Sequence, residues 1–250
     1  MQALLVGLAV CVTAAGGLAA RADEGAGRTH AAYVGAVPLS AAGVPSAVPR
    51  PPVSAPGLDP AVLDLALGSL ACARQSGTAG EPAANVFSVI DFSLPSTARR
   101  LWVIDLDTGA TLRTERVAHG RNTGEDDAVA FSNIPGSNQS SLGLYRTAEV
   151  YVGKHGRSLK LDGLEPGFND RARDRAIVVH GASYCTGEHV ARWGRLGRSQ
   201  GCPALDPAIS DAVIDTIRDG TLVFAYYPDP TWLSGSSFLH CDANMATTNG

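Results

Sequence analysis

A series of short strand-like runs, separated by turn residues, constrains the fold of this chain most. The runs occupy residues 85–92, 101–106, 111–117, 147–152, 176–180 and 221–227. They are rich in β-branched, aromatic and other apolar residues, and runs of this length bounded by Gly, Asn and Asp predict strands. The turn residues Asp107–Ala110 predict a hairpin between the second and third runs. Residues 176–179 are continuously apolar, which indicates a buried strand.

Two segments carry helix signals. Residues 58–73 are rich in Leu and Ala and begin with Asp59 and Pro60, which is typical of an N-cap followed by a first-turn proline. Residues 206–220 begin with a second Asp-Pro pair, place apolar residues on one face and end at Gly220. Because the strands outnumber the helices, we predict a mostly β domain with a few helices, of the α+β class.

The N-terminal part of the chain has the composition of an exported protein. Residues 3–20 are apolar and uncharged, and Ala20-Arg21-Ala22 fits a signal-peptidase site, so we predict a signal peptide over residues 1–22. A membrane anchor is the alternative. Residues 23–57 are rich in Ala, Pro and Gly and predict an extended linker. The folded domain then occupies residues 58–240, and we expect it in the periplasm or cell envelope.

Charge and size limit the partners. The chain has 250 residues, of which 45% are hydrophobic, enough for one well-cored domain. Its net charge of -4 provides no overall basic field, so we expect no nucleic-acid partner, and we expect a monomer. Arginines do cluster between Arg171 and Arg198, which indicates either a solvated face or a local positive surface.

Four cysteines follow the predicted signal: Cys72, Cys185, Cys202 and Cys241. In an oxidising compartment one pair of these is expected to form a disulfide. We take Cys185–Cys241 as the first candidate, although the sequence does not fix the pairing.

The strongest chemical signal is a cysteine loop downstream of a strand that ends in histidine. The loop is Gly197–Pro203 and carries Cys202, and His180 ends the run Ile177–Gly181. A thiol needs a base to become a nucleophilic thiolate, and His180 is the candidate base. No Asp or Glu lies within two residues of it, so a backbone carbonyl such as that of Gly181 is expected to orient the ring.

The residues around the thiol suggest roles of their own. Gly201 lets backbone N–H groups approach a substrate closely and stabilise an oxyanion. Arg198 is expected either to lower the thiol pKa or to bind a substrate carboxylate.

Cysteine and histidine residues can also have a structural or a metal-binding role. A lone buried cysteine or histidine is often an inert core residue, but the polar neighbours of Cys202 argue against that. Cys185 and His189 have a zinc-compatible i, i+4 spacing, but paired C-x-x-C or H-x-x-x-H motifs are absent, so we predict no metal and no other cofactor.

Several motifs together resemble one known family. They are Val117–Gly120, Phe131–Asn133, Ser140–Gly143, Tyr151–Gly156, Ile177–Gly181 and Gly197–Pro203. In these motifs and their order the chain resembles the L,D-transpeptidase catalytic domain, the YkuD-like family of bacterial cell-wall enzymes. The resemblance implies a strongly curved β-sheet.

The resemblance also implies roles for single residues. It matches Cys202 to the nucleophile, His180 to the general base and Gly181 to the residue whose main chain orients that base. Ser199, Gln200 and Gly201 fall in the cysteine loop, where we expect them to bind the substrate or its oxyanion, and Gln200 stands where many members carry histidine. His119 and His155 either shape turns or, together with the expected substrate-binding residues Ser141 and Tyr151, line the substrate groove.

The implied activity is acyl transfer on peptidoglycan stem peptides. The thiol attacks the carbonyl of the third stem residue, D-alanine leaves, and the amine of a second stem completes a 3→3 cross-link. The alternatives are an L,D-carboxypeptidase, in which water is the acceptor, and a non-catalytic wall-binding module.

Overall fold

The structure is a computed structural model that describes residues 52–241. The first helix, α1 (Pro60–Gln75), begins as the sequence predicts. The Asp59 carboxylate accepts a hydrogen bond from the N–H of Ala61 at 2.8 Å, and a proline occupies the first turn. The apolar face of α1 packs on the core through Val62, Ala66 and Leu70.

Eight strands form one mixed sheet. They are β1 (Val86–Asp91), β2 (Leu101–Asp105), β3 (Thr111–Glu115), β4 (Gly143–Gly153), β5 (Gly156–Gly163), β6 (Val178–Gly181), β7 (Ala204–Leu205) and β8 (Leu222–Tyr226). Their order across the sheet is β3-β2-β1-β8-β4-β5-β6-β7. The β1–β8 and β6–β7 pairs are parallel, and the other pairs are antiparallel.

The sheet is curved and nearly closed. Its two edges are β3 and β7, and Ala118, which follows β3, forms an antiparallel bridge with Ala204 of β7. The N–H of Ala118 donates to the carbonyl of Ala204 at 2.8 Å. This bridge brings the segment after β3 against the loop that precedes β7. The predicted mostly β fold with a few helices and a curved sheet is therefore confirmed.

Three further helices complete the described domain: α2 (Gly187–Trp193), α3 (Pro207–Ile217) and α4 (Pro230–Gly235). The predicted second helix is α3, which buries Val213, Ile214 and Ile217 and packs against β6. It ends at Ile217, and the chain turns at Gly220 with φ +90°. Within residues 52–241, no helix is both long and apolar enough to cross a membrane.

Four elements have no counterpart in the sequence predictions: β5, β7, α2 and α4. Strand β7 has two residues and α4 has six, so neither is long enough to show a period. Helix α4 lies in a tail rich in Ser and Thr, where tertiary contacts fix it. Its Trp232 is 1% exposed and donates its indole N–H to the Glu165 carboxylate at 3.0 Å.

One disulfide closes the domain, and it is not the predicted one. Cys72 of α1 is bonded to Cys241, 169 positions further along the chain, so the predicted Cys185–Cys241 pairing is wrong. Cys185 is a buried free thiol among Ala118, Leu196 and other small apolar residues. The chain after α4 returns to α1, a tertiary relationship that cysteine spacing does not encode.

The last part of the predicted linker contacts the domain. The N–H of Ser54 donates to the carbonyl of Gly109 at 2.7 Å, and the indole N–H of Trp102 donates to the carbonyl of Pro56 at 3.0 Å. The predicted signal peptide and the rest of the predicted linker lie outside the described residues.

Candidate active site

His180 lies on β6 and is held in one tautomer. Its side chain is buried, and Nδ1 lies 2.9 Å from the carbonyl oxygen of Gly181. A carbonyl only accepts, so Nδ1 donates and Nε2 is left unprotonated. Burial lowers the pKa of His180 below 6.5, more than the carbonyl of Gly181 raises it, so the imidazole is neutral near pH 7.

Gly181 also sets how closely α3 approaches the base. A Cβ atom at this position would lie 2.6 Å from Oγ of Ser210 and 3.3 Å from Cα of Pro207, both on α3. Glycine therefore lets α3 pack against the end of β6, where the carbonyl that orients His180 is located.

Register places the thiol near this base. Strands β6 and β7 run parallel with His180 paired to Ala204 and Gly181 paired to Leu205. Cys202 precedes Ala204 by two positions, so the cysteine loop enters the sheet beside the histidine.

Ser199 stabilises the cysteine loop through hydrogen bonds within the loop. Its hydroxyl donates to the carbonyl of Cys202 at 2.6 Å and accepts from the N–H of Gly201 at 3.0 Å. Its own N–H donates to the carbonyl of His119 at 2.9 Å, which ties the loop to the segment after β3. The side chain is 6% exposed, so these bonds hold the loop in a fixed shape.

Gly201 has a conformation that favours glycine. Its φ is +120°, and a Cβ atom there would lie 2.7 Å from the carbonyl oxygen of Gln139. Its carbonyl accepts from the Ser140 hydroxyl at 3.0 Å. The predicted oxyanion role of the Gly201 N–H does not fit these contacts, because Ser199 already occupies that N–H. The N–H of Cys202 has no hydrogen-bond partner within residues 52–241 and is the donor that remains.

The Cys202 thiol is half-buried and rests against the backbone. Sγ lies 3.7 Å from the carbonyl oxygen of Ala176, a residue whose own φ is +52°. Burial raises the pKa of the thiol above 9.0, while the N–H of Val178 and the charges of Arg175 and Lys154 oppose that rise. The resting side chain is therefore a neutral thiol at pH 7.

A cleft of about 350 Å³ brings the two groups together. Both Cys202 and His180 line it, as do Tyr151 and Gln200, which were predicted as substrate-binding residues. The cleft wall is Arg121, Gly136, Asn138, Tyr151, Lys154, His155, Arg175, Ala176, Val178, His180, Tyr184, Arg198, Ser199, Gln200 and Cys202. Three of these residues, Arg121, Gly136 and Asn138, come from the irregular segment 116–142 between β3 and β4.

The cleft has a positive lining. Arg121, Lys154, Arg175 and Arg198 contribute to it, and no Asp or Glu of the described residues does. The local positive surface expected from the arginine cluster is thus at the candidate site, although the chain as a whole is acidic.

Arg198 differs from its expected role. Its guanidinium pairs with the Glu125 carboxylate at 2.5 Å and donates to the carbonyls of Arg121 and Gly124, each at 3.1 Å. These partners fix the rim of the cleft. The charges acting on the Cys202 thiol are those of Arg175 and Lys154 instead, because Arg198 points to the segment after β3.

Ser141 also differs from its expected role. Its side chain is 4% exposed, donates to the carbonyl of Ser132 at 2.8 Å and accepts a hydrogen bond from Arg175. It is absent from the wall of the cleft, so it supports the loop beneath the site.

Arg175 is the principal residue that sequence reasoning missed. Its guanidinium donates to the carbonyl of Ser132 at 2.6 Å, the carbonyl of Gln139 at 2.5 Å and the hydroxyl of Ser141. It therefore holds the irregular segment against the cysteine loop while its charge opposes the rise in the thiol pKa. The only sequence signal was its place in the arginine cluster, which does not distinguish it from its neighbours.

His119 and His155, which the sequence assigned to either turns or the substrate groove, have different surroundings in the structure. His119 is 1% exposed, accepts from Arg100 at 2.8 Å, and burial lowers its pKa to about 4, so it is a structural residue. His155 lines the cleft, and its ring stacks on His180 with centroids 4.5 Å apart and planes 26° apart. Among residues 52–241, no cluster of three or more His, Cys, Asp or Glu has the geometry of a metal site.

Comparison with known proteins points to one family. The model of the L,D-transpeptidase catalytic domain matches residues 54–226. Among solved structures, the chain is similar to an L,D-transpeptidase from Mycobacterium smegmatis, with 15% identity, coverage of 58% of this chain and 59% of that chain, and a TM-score of 0.36. It thus spans less than two thirds of that structure's length. No curated protein matches the chain.

Two further solved structures are similar at the same level. The helical cell shape determining protein from Campylobacter jejuni has 13% identity, coverage of 60% of this chain and 50% of that chain, and a TM-score of 0.39. An L,D-transpeptidase from Xylanimonas cellulosilytica has 14% identity, coverage of 73% of this chain and 100% of that chain, and a TM-score of 0.33.

Proposed function

The chain belongs to the L,D-transpeptidase catalytic domain family, and from this premise we propose that it is an exported cysteine acyltransferase that forms 3→3 cross-links between peptidoglycan stem peptides. The observation that carries the proposal is the shared cleft of Cys202 and His180, with the imidazole held in the tautomer that accepts a proton at Nε2.

The first step is acylation of the thiol. At rest the pair is a neutral thiol and a neutral imidazole, since burial raises the pKa of Cys202 and lowers that of His180. As Sγ attacks the carbonyl carbon of the third stem residue, Nε2 of His180 takes the thiol proton. We assign stabilisation of the resulting oxyanion to the backbone N–H of Cys202, which has no hydrogen-bond partner within residues 52–241.

The second step releases the terminal residue. The C–N bond to D-alanine breaks, His180 donates its proton to the leaving amine, and a thioester remains on Cys202. The amine of a second stem then attacks the thioester carbonyl and His180 takes a proton from it; the S–C bond breaks, and His180 returns the proton to the sulfur of Cys202. Water in place of that amine gives L,D-carboxypeptidase activity from the same intermediate.

The disulfide supports a location outside the cytoplasm. Disulfides persist in oxidising compartments, and the Cys72–Cys241 bond belongs to the fold of this domain. Peptidoglycan is assembled in the same compartment, so the predicted export signal, the disulfide and the substrate are mutually consistent.

The test is intact-protein mass spectrometry after incubation with a disaccharide-tetrapeptide. We expect the wild type to gain the mass of the donor minus D-alanine, and Cys202→Ala to gain nothing. Cys185→Ala is the matched control, because it removes the other free thiol within residues 52–241 and should keep the adduct. A folded wild type with no adduct and no released D-alanine would refute the proposed function. If the adduct forms, cross-linked products indicate the transpeptidase and a free tripeptide indicates the carboxypeptidase.

A further inference from the structure

The cations of the cleft are not equivalent. Arg198 is paired with Glu125, and Arg175 is hydrogen bonded to the segment around Ser132 and Gln139. Lys154 is exposed and has no ion pair or side-chain hydrogen bond with any residue from 52 to 241. The Arg121 side chain likewise has no such partner among these residues, but Arg121 lies on the segment after β3, whereas Lys154 directly precedes the histidine that stacks on His180. The chain's other lysine, Lys160, is paired with Glu149 at 2.9 Å. Lys154 is therefore a charge available to a ligand.

Local geometry holds Lys154 near the reacting groups. It lies in the turn between β4 and β5, directly before His155, whose ring stacks on the ring of His180. It lines the same cleft as Cys202. Its positive charge opposes the rise that burial causes in the pKa of Cys202 and adds to the lowering that burial causes in the pKa of His180.

The donor stem has an anion at the matching place. The residue that leaves carries a free α-carboxylate, which is attached to the same carbon as the scissile nitrogen. When the scissile carbonyl lies against Sγ of Cys202, this carboxylate is only a few bonds away. No carboxylate of the described residues lines the cleft to compete for the ammonium.

We propose that Lys154 binds the terminal α-carboxylate of the leaving residue, so that the enzyme selects donor stems that end directly after the scissile bond. This inference rests on the proposed function. During acylation the S–C bond forms, the C–N bond breaks and the proton passes from the thiol through His180 to the leaving amine. The ammonium of Lys154 stays protonated throughout and acts only by binding and orienting the donor.

The test compares two donors that differ only at this group: a disaccharide-tetrapeptide with a free C-terminal carboxylate and its C-terminal amide. We expect wild type to prefer the acid by about tenfold in kcat/KM for acylation, and Lys154→Met to reduce the preference to about twofold or less. Lys160→Met is the matched control. It removes a lysine that does not line the cleft, so this variant should keep the wild-type preference for the acid.

The ratio of kcat/KM for the acid donor to kcat/KM for the amide donor reports recognition of the carboxylate and not the reactivity of the thiol. Both donors meet the same thiol, so a change in the pKa of Cys202 caused by Lys154→Met cancels in the ratio. In wild type the preference should also shrink as the salt concentration rises, because salt screens an exposed ion pair. That measurement needs no variant.

Two failures are distinguishable. Equal use of acid and amide by wild type, or an unchanged preference in Lys154→Met, overturns the role of Lys154 and leaves the proposed function standing. If neither donor acylates wild-type Cys202, the proposed function fails, and this inference fails with it.

Discussion

His180 and Ala204 are paired in parallel register between β6 and β7, and this pairing joins the candidate base to the candidate nucleophile. Ala204 is also bridged to Ala118, so one residue connects the base strand, the cysteine loop and the opposite edge of the sheet. Closure of the sheet and assembly of the site therefore depend on the same residue.

Loss of the base should stop chemistry without unfolding the domain. We expect His180→Gln to reduce acylation of Cys202 by about 10²–10⁴-fold, because no other group would take the thiol proton. His189→Gln on α2, outside the cleft wall, is the matched control and should retain full activity. Retained acylation in a folded His180→Gln protein would contradict the assignment.

The pH dependence of kcat/KM and of thiol alkylation should show that Cys202 and His180 are both neutral at rest. As pH falls through the pKa of His180, the imidazole becomes protonated and cannot accept the thiol proton. Since that pKa lies below 6.5, the acid limb of kcat/KM should lie below pH 6.5. Alkylation of Cys202 by iodoacetamide should keep rising above pH 9.0, because burial raises the thiol pKa. A plateau of alkylation near pH 6 would instead indicate a preformed thiolate.

Gly201 should tolerate no side chain. We expect Gly201→Ala to destabilise the domain by about 1–3 kcal/mol, because alanine is strained at φ +120° and its Cβ would meet the carbonyl of Gln139. The control is Gly68→Ala on the exposed side of α1, where a Cβ meets nothing within 4 Å. That change should be neutral or stabilising by up to about 1 kcal/mol, as measured by urea unfolding.

Arg175 should be needed for the shape of the segment that it holds. Replacing it with Met removes the side-chain donor of the Gln139 carbonyl and one of the two donors to the Ser132 carbonyl, which keeps the Ser141 hydroxyl, at a cost of about 1–3 kcal/mol. Hydrogen exchange should then rise across residues 132–141. Arg173→Met is the matched control: its ion pairs with Glu149 and Asp162 are exposed, so we expect a loss below about 1 kcal/mol. Equal effects of the two variants would contradict this role.

The disulfide should contribute to stability and not to catalysis. It closes a long loop between Cys72 and Cys241, so Cys72→Ala should lower the free energy of unfolding by about 2–5 kcal/mol. A reducing agent should have the same effect on wild type and none on the variant. Acylation of Cys202 below the unfolding transition should persist in both. An unfolding midpoint of wild type that does not respond to reduction would refute the prediction.

Local sequence determined the elements with strong internal signals. The Asp-Pro starts of α1 and α3 set their N-termini, because capping and proline geometry act within a few residues. Strands β1, β2, β3, β6 and β8 followed from dense β-branched and aromatic runs. Cys202 and His180 were predicted as site residues because a glycine-flanked thiol and a histidine at the end of a strand are chemically unusual, and the structure brings both to one cleft.

Tertiary structure alone decided how these parts meet. Strand register put His180 opposite Ala204, burial set the pKa directions of both reacting groups, and the return of the chain to α1 chose Cys241 as the partner of Cys72. Arg198 forms its ion pair with Glu125, and Arg175 forms its hydrogen bonds with the irregular segment, so both arginines contact residues that are distant in sequence. Such contacts depend on the folded positions of whole elements, so the sequence indicated a cluster of arginines but not the role of each.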